Sequence, residues 1–524
     1  MPPWARIALQ RWTAQAWTAA ALTAGFIAIT CWWLTQDHSI PIFDAGYHLR
    51  SVIEFQRDLS AGHLSRAVNL TVPYPPLPYL VGAFGIWVAG VDVAPPILAE
   101  NLVFVPLLAL GCYHVGRLAF GRTAGLLAVA FALGSPLITA QFHVFMTDAP
   151  ETAMVAVGIW AILASERFSR VGVSAVAGLA VGLGMLTKEP FAVFVVGVVL
   201  VSAVRGGRRA WRGLLAFALV ALLVALPWYV HEFSQVNALG SGAVNAATHS
   251  GTAADIAPGR LSLDNLEWYS WNFVNFQLYL PLFLMAAAGW LWTLAGFVRR
   301  RPVSPFAVEL ALGSFLAWVA ITETFVHDTR YSMPMLLYLA VFGTGWIVRL
   351  PGAGRAVATA ALMLVVAANT LAVSFGVGGV VSFQLPGAHP ARLQAPGVVR
   401  IYSNSGYLVA GPHRDGDLLG TLRALKRNGV TEIVWNGGTF EADFSTSGLR
   451  ALAQIAGLAH PDRSSAASLT RQDAYLAHAP RGGPSEPPCV RLSDGTGIWI
   501  RLGDPFAPGS RDYCPSHNPQ FYGP

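Results

Sequence analysis

Apolar residues fill most of the first 380 positions in long blocks, each broken by a short segment carrying Gly, Pro or Arg. A helix needs about 17 to 25 such residues to cross a bilayer. Blocks of this kind lie at 16–35, 96–116, 123–142 and 213–231, and shorter or interrupted ones at 150–165, 171–187, 190–204, 273–298, 305–323, 333–348 and 356–376. The pattern predicts an α-helical polytopic membrane protein of about eleven transmembrane helices. Arg6 and Arg11 precede the first block and no small-residue cleavage site follows it, so it reads as an uncleaved anchor.

The run 77–91 is opened by prolines and is too short to span. Counted as a crossing, it would place Arg117 and Arg122 outside and invert everything after them. Read as an interfacial helix, it leaves Arg117, Arg122, Arg167, Arg170, Arg205, Arg208, Arg209, Arg212, Arg299 to Arg301, Arg349 and Arg355 on one side, with Glu166 the only acid among them. Basic residues concentrate in cytoplasmic loops. The N-terminus is therefore expected in the cytoplasm of a cell bounded by this inner (plasma) membrane, with loop 36–95, the segments around Asp148, Lys188, Asp255 and His327, and the tail from about Phe383 outside.

After the last block the chain becomes Gly-rich, Pro-rich and charged. A helix at 417–428 and strands at 432–435 and 498–502 predict a small extracytoplasmic α/β domain. The chain divides on this reading into a transmembrane domain, 1–380, and a tail domain, 381–524.

Composition narrows the class. Hydrophobic residues make up 54% and charged residues 12% of 524, with a mean hydropathy of +0.50, against about 25% charged in water-soluble domains. An ordinary cytosolic enzyme is excluded. The net charge of +6 comes from arginines strung between apolar runs, a mark of membrane topology and not of nucleic-acid binding. Cys31 and Cys112 sit in apolar blocks; Cys489 and Cys514 sit in the tail, where an oxidising exterior favours one disulfide, with free thiols the alternative.

Four outer segments carry chemistry. Asp44 and His48 follow the first span. His143 to Glu151 contains Asp148, which can cap a helix opened by Pro150, with Glu151 three residues on along the same face. Lys188, the only lysine of the membrane region, stands beside Glu189 and Pro190 against the charge rule; it is either a snorkelling lysine or a phosphate ligand. His327 and Arg330 close the set, and a guanidinium fork matches phosphate oxygens. Helices opening near Pro150, Pro190 and Pro334 aim their N-termini at this layer, where anions are favoured. A phosphate bound outside the cytoplasm, where nucleotides are scarce, points to a lipid-linked donor. Trp268, Tyr269 and Trp271 read as interfacial anchors in preference to sugar platforms.

The order of these segments, with Tyr74-Pro75-Pro76-Leu77-Pro78-Tyr79, Thr147-Asp148-Ala149-Pro150, Leu186-Thr187-Lys188-Glu189-Pro190 and His327-Asp328-Thr329-Arg330-Tyr331, resembles the GT-C glycosyltransferases. The branch most resembled comprises protein O-mannosyltransferases and aminoarabinose transferases, which use polyprenyl-phosphate sugars. The resemblance covers about 15–350. It implies an inverting transferase in which Asp44 matches the catalytic acidic position, Lys188 and Arg330 the lipid-phosphate contacts, and Asp148 the acidic residue of the second outer loop; beside them His327 is expected to help hold the donor phosphate, and Glu151, Glu189, Tyr74 and His48, with Asp148, to orient the acceptor. Two departures stand out: Ala45 where relatives often have Glu, and Glu189 where they often have Gly. The missing acid leaves a divalent metal an open question, and no other cofactor is implied.

The function expected is transfer of a sugar from a polyprenyl-phosphate donor to a glycan, lipid or protein of the cell envelope. A transporter is the rival from another class, although transporters place ionisable residues near the midplane between repeated halves. An envelope-assembly protein acting through its tail is the other.

Overall fold

The computed structural model describes residues 14–41, 43–71, 74–249, 263–301, 303–322, 328–385, 398–405, 411–412, 417–436, 446–459, 473–479, 490–491, 497–502 and 511–512. Among these, six helices are long and apolar enough to cross a membrane: Gln15–Leu34, Ala94–Phe120, Phe191–Arg209, Trp211–Phe233, Tyr279–Val298 and Gly352–Phe375. Shorter apolar helices, Arg122–Leu133, Val171–Met185, Ala307–Thr322 and Met333–Arg349, pack among them, together with Asp148–Ala164. Leu223, Val230, Leu291, Val298 and Leu364 stand exposed on the long helices, as side chains facing lipid do. The inward faces use small residues. A Cβ on Gly289 would come within 1.9 Å of the Phe342 carbonyl oxygen, and one on Gly197 within 2.9 Å of Gly313 Cα; such contacts let helices approach closely where lipid removes the hydrophobic drive.

Two expected spans differ in detail. The block 123–142 is broken into Arg122–Leu133 and Pro136–Gln141, because Pro136 has no N–H to donate and its ring clashes with the preceding turn. Asn369 Nδ2 takes the Gly134 carbonyl at 3.0 Å. The block 273–298 becomes helical only at Tyr279, after a π-helical turn Phe273–Gln277 that continues the helix Leu263–Asn272.

Polar groups separate to the two ends of the bundle. At one end Glu309, fully buried, accepts from Arg167 Nε at 2.6 Å and Arg205 Nη1 at 2.5 Å, a compensation without which a buried carboxylate is costly. The helix Asp148–Ala164 leads from that end to the other, where Asp44, Asp148, Lys188 and Arg330 meet. Helices Phe43–Ser60, Leu64–Thr71 and Leu77–Ala89 cover this second end. Thirteen residues of helix reach only about 20 Å, short of a bilayer core, and the exposed Phe84, Trp87 and Val88 suit a helix lying in the interface. Its Leu77 N–H donates to the Leu186 carbonyl at 2.9 Å, tying it to the Lys188 turn.

The tail begins with β1 (Val380–Gln384) paired antiparallel to β2 (Val398–Ser403). Strands β3 (Glu432–Asn436), β4 (Asp473–Ala479), β5 (Val490–Arg491), β6 (Gly497–Leu502) and β7 (Arg511–Asp512) form a sheet of order β3-β4-β6-β5, with β7 beside β6. Only β3 and β4 run parallel. Asp417 caps helix Leu418–Arg427 by accepting from Gly420 N at 2.7 Å. Helix Thr446–Ile455 lies on Phe43–Ser60 so closely that a Cβ on Gly46 would fall 2.4 Å from Gly448 N, two residues from Asp44.

Candidate active site

Asp44 opens the helix Phe43–Ser60 in its first turn, where a carboxylate is favoured by the unsatisfied amides and the dipole. Its side chain is 46% exposed, and its Oδ2 accepts from Arg330 Nη2 at 2.7 Å. Arg330 sits in the turn before the Met333–Arg349 helix and also engages Asp328, through Nε to Oδ1 at 3.0 Å and Nη2 to Oδ2 at 2.5 Å. Its remaining arm, Nη1, lies 3.8 Å from Asp148 Oδ2 and 3.9 Å from Met146 Sδ.

Lys188 comes from the turn between Val171–Met185 and Phe191–Gly206 and donates to Asp148 Oδ1 at 2.6 Å. Its ammonium lies 5.2 Å from the centre of the Tyr331 ring. It is 6% exposed, so it does not snorkel. Burial alone would lower its pKa, but Asp148 and Glu151 outweigh burial and hold it raised and charged. Burial likewise works against the Asp148 carboxylate, and Lys188 and Arg330 overcome it to hold that carboxyl below its ordinary value. The capping role expected of Asp148 is not found: Thr147 is the N-cap residue and Asp148 spends its side chain on the two cations.

Two cations thus converge on one buried carboxylate beside a half-exposed second one. Around them Asp148 Oδ2, Glu151 Oε1, Thr147 Oγ1 and Thr329 Oγ1 are buried with no hydrogen-bond partner among the described residues. Buried polar atoms are nearly always satisfied; Asp148 Oδ2 is compensated here by the Arg330 charge 3.8 Å away.

The aromatic side of the site is formed by His48, Tyr74 and Tyr79. His48 Nδ1 and the Tyr79 hydroxyl are 2.5 Å apart, and the His48 ring meets Tyr74 edge-on at 4.5 Å. Burial lowers the His48 pKa to about 4, so the imidazole is neutral. Glu189 follows Lys188, and burial pushes its carboxyl up to about 7. The structure therefore brings together Asp44, His48, Tyr74, Asp148, Glu151, Lys188, Glu189 and Arg330. His327, Cys489 and Cys514 lie outside the described residues. Trp268 and Tyr269 are buried in the main core at 5% and 0% exposure and do not serve as surface anchors, because the helix Leu263–Asn272 packs inward.

Three residues escaped the sequence reading. Asp328 chelates the guanidinium fork. Asn272 and Gln277 hold the loop that carries Arg330: Gln277 Nε2 donates to the Thr329 carbonyl and Ser332 Oγ, each at 2.7 Å, and Asn272 Nδ2 reaches the same two oxygens at 3.1 and 3.2 Å. The π-helical turn inserts the extra residue that puts both amides on one side, a distortion frequent at functional sites.

Among described residues no three His, Cys, Asp or Glu side chains cluster as metal ligands. No curated relative matches the chain. Solved structures that resemble it include ArnT from Cupriavidus metallidurans bound to undecaprenyl phosphate, with 17% identity and a TM-score of 0.48, and the same protein in the apo state, with 18% and 0.47. In each pairing 65% of this chain and 61% of that chain are covered, so the chain spans less than two thirds of their length. Residues 74–231, which carry Tyr74, Asp148, Glu151, Lys188 and Glu189, match the family model for dolichyl-phosphate-mannose-protein mannosyltransferase.

Proposed function

We propose that the protein is an integral membrane glycosyltransferase that moves a sugar from a polyprenyl-phosphate donor to an extracytoplasmic acceptor, with inversion. The observation that carries the reading is the convergence of Lys188 and Arg330 on Asp148 beside Asp44. Lys188 and the Nη1 arm of Arg330 bind the donor phosphate. The acceptor hydroxyl oxygen bonds to the anomeric carbon as the bond from that carbon to the phosphate oxygen breaks. Polyprenyl phosphate departs with the electron pair, stabilised by the two cations, and the hydroxyl proton passes to Asp44, a general base.

Asp148 keeps Lys188 charged and in place, and neutral His48, braced by Tyr79 and Tyr74, walls the acceptor side. Glu151 and Glu189 line the same chamber. In this orientation the arginine-rich end is cytoplasmic, and the chemistry at one end of the bundle, away from the midplane, favours a transferase over a transporter. The test is incubation of the purified protein in nanodiscs with radiolabelled polyprenyl-phosphate sugars and membrane extract. Label passing to an acceptor supports the reading; label staying on every donor contradicts it.

A further inference from the structure

The tail touches the machinery of the site at two places. The first is the π-helical turn Phe273–Gln277, closed by the Leu278 N–H on the Phe273 carbonyl at 2.9 Å. Directly after it Tyr279 has a φ of +57°, in the left-handed region that a bulky side chain rarely enters. Backbone of this kind persists only where its surroundings hold it. Strand β2 supplies such a hold from the tail. The Arg400 N–H donates to Asn275 Oδ1 at 2.9 Å, and Arg400 Nη1 to the Asn275 carbonyl at 3.4 Å. The same guanidinium lies 5.0 Å from the centre of the Phe276 ring, within reach of a cation–π contact. The Tyr279 hydroxyl donates to the Ser403 carbonyl at 3.2 Å. Asn275, Tyr279 and Ser403 are fully buried, so water does not compete for these bonds.

Gln277 passes the constraint on. It belongs to the turn that Arg400 grips, and its amide holds the Thr329 carbonyl and Ser332 Oγ, one residue before Arg330 and two after it. The second place is the helix that carries Asp44. Ala451 and Ile455 of helix Thr446–Ile455 pack with Leu49, Val52 and Ile53. A Cβ on Gly448 would come within 2.0 Å of the Pro41 carbonyl oxygen, so the absence of a side chain there lets the two segments meet. The tail therefore bears on both halves of the ion pair that Arg330 Nη2 makes with Asp44 Oδ2 at 2.7 Å.

We propose that the tail is a working part of the active site, bracing both members of the Asp44–Arg330 pair, and that Arg400 is a positioning residue for the Arg330 guanidinium. The inference rests on the transferase reading for what the pair does, and not for how the pair is held.

Steady-state transfer by the full chain in nanodiscs, with polyprenyl-phosphate sugar varied at fixed membrane extract, tests the assignment. Arg400→Ala is expected to raise the KM for donor about tenfold, the worth of one or two hydrogen bonds, with kcat little changed. Arg400→Lys, which keeps a cation and a donor, should recover most of the loss. Tyr279→Phe, which removes one hydroxyl, should shift KM the same way by less. In a Gln277→Ala background the effect of Arg400→Ala should be largely absent, because both act along one path. A contact that only stabilises the tail would lower the fraction of active enzyme, so kcat would fall and KM stand still. That result, additive losses with Gln277→Ala, or no recovery by lysine overturns the proposal. Hydrogen exchange at the Arg330, Tyr331 and Met333 amides, each bonded within the loop, reads the same coupling without turnover. Exchange about tenfold faster in Arg400→Ala is expected from the lost bonds, and exchange unchanged in both Arg400→Ala and Tyr279→Phe overturns the proposal. Faster exchange in a protein that transfers nothing would count against the transferase reading and leave the bracing role intact.

Discussion

Arg330 donates through Nη2 to Asp44 at 2.7 Å, joining residues 286 positions apart in the chain. The same guanidinium grips Asp328 with two nitrogens. A lysine supplies charge but no fork. Arg330→Lys is expected to lower kcat/KM about 10- to 100-fold, the worth of charge-assisted hydrogen bonds, chiefly through the KM for donor. Steady-state rates against donor concentration check this; an unchanged KM would remove Arg330 from the phosphate seat.

Lys188 and Asp148 form a buried pair at 2.6 Å. Removing one partner of such a pair strands the other, at about 3–5 kcal/mol. Lys188→Met should therefore melt at a clearly lower temperature in detergent and transfer no sugar. Adding Asp148→Asn should restore most of the stability without restoring transfer. Recovery of both together would make the lysine a structural residue only.

Gln277 holds the Arg330 loop from behind. Gln277→Ala removes its bonds to the Thr329 carbonyl and Ser332 Oγ, and a loss of about tenfold in kcat/KM is expected from hydrogen bonds of this kind. Because the amide acts through the arginine, its effect should be largely absent when Arg330 is already alanine, a non-additivity that a double-mutant cycle measures. Additive losses would mean that Gln277 supports the fold and not the guanidinium.

Burial raises the Glu189 carboxyl from 4.5 to about 7. The folded protein then holds a proton that the unfolded chain has released, so Glu189 makes stability fall as pH rises between those values and adds no further slope above them. Glu189→Gln should flatten this part of the melting-temperature profile and stabilise the protein most above pH 7. A profile unchanged by the substitution would show that Glu189 ionises as an ordinary surface carboxylate.

Much of the site was legible because membrane sequences are sparing with charge. Lys188 stands out as a lone lysine at the end of a span, and Arg330 and Asp44 stand out by the order of the segments around them. Helix positions largely followed from the apolar blocks, including the short helix Leu77–Ala89. Pairings were not legible: Asp148 fits a cap as well as an ion pair until Lys188 is seen 2.6 Å away. Asn272 and Gln277 gave no signal, since their alignment depends on a π-helical turn that no periodicity announces. The break at Pro136 was hidden by an apolar block that continues through it, and its repair by Asn369 is a contact between residues 235 positions apart.

The central claim is that Asp44 removes the acceptor proton at a seat made for a lipid phosphate. The direct measurement compares purified wild type and Asp44→Asn for transfer of radiolabelled sugar from polyprenyl-phosphate donors to membrane extract. Turnover by the wild type and a fall of about 10²- to 10⁴-fold in the variant, the range for loss of a general base, with donor binding retained, is the predicted result. Full activity in Asp44→Asn, or no donor consumed by the wild type, would contradict it.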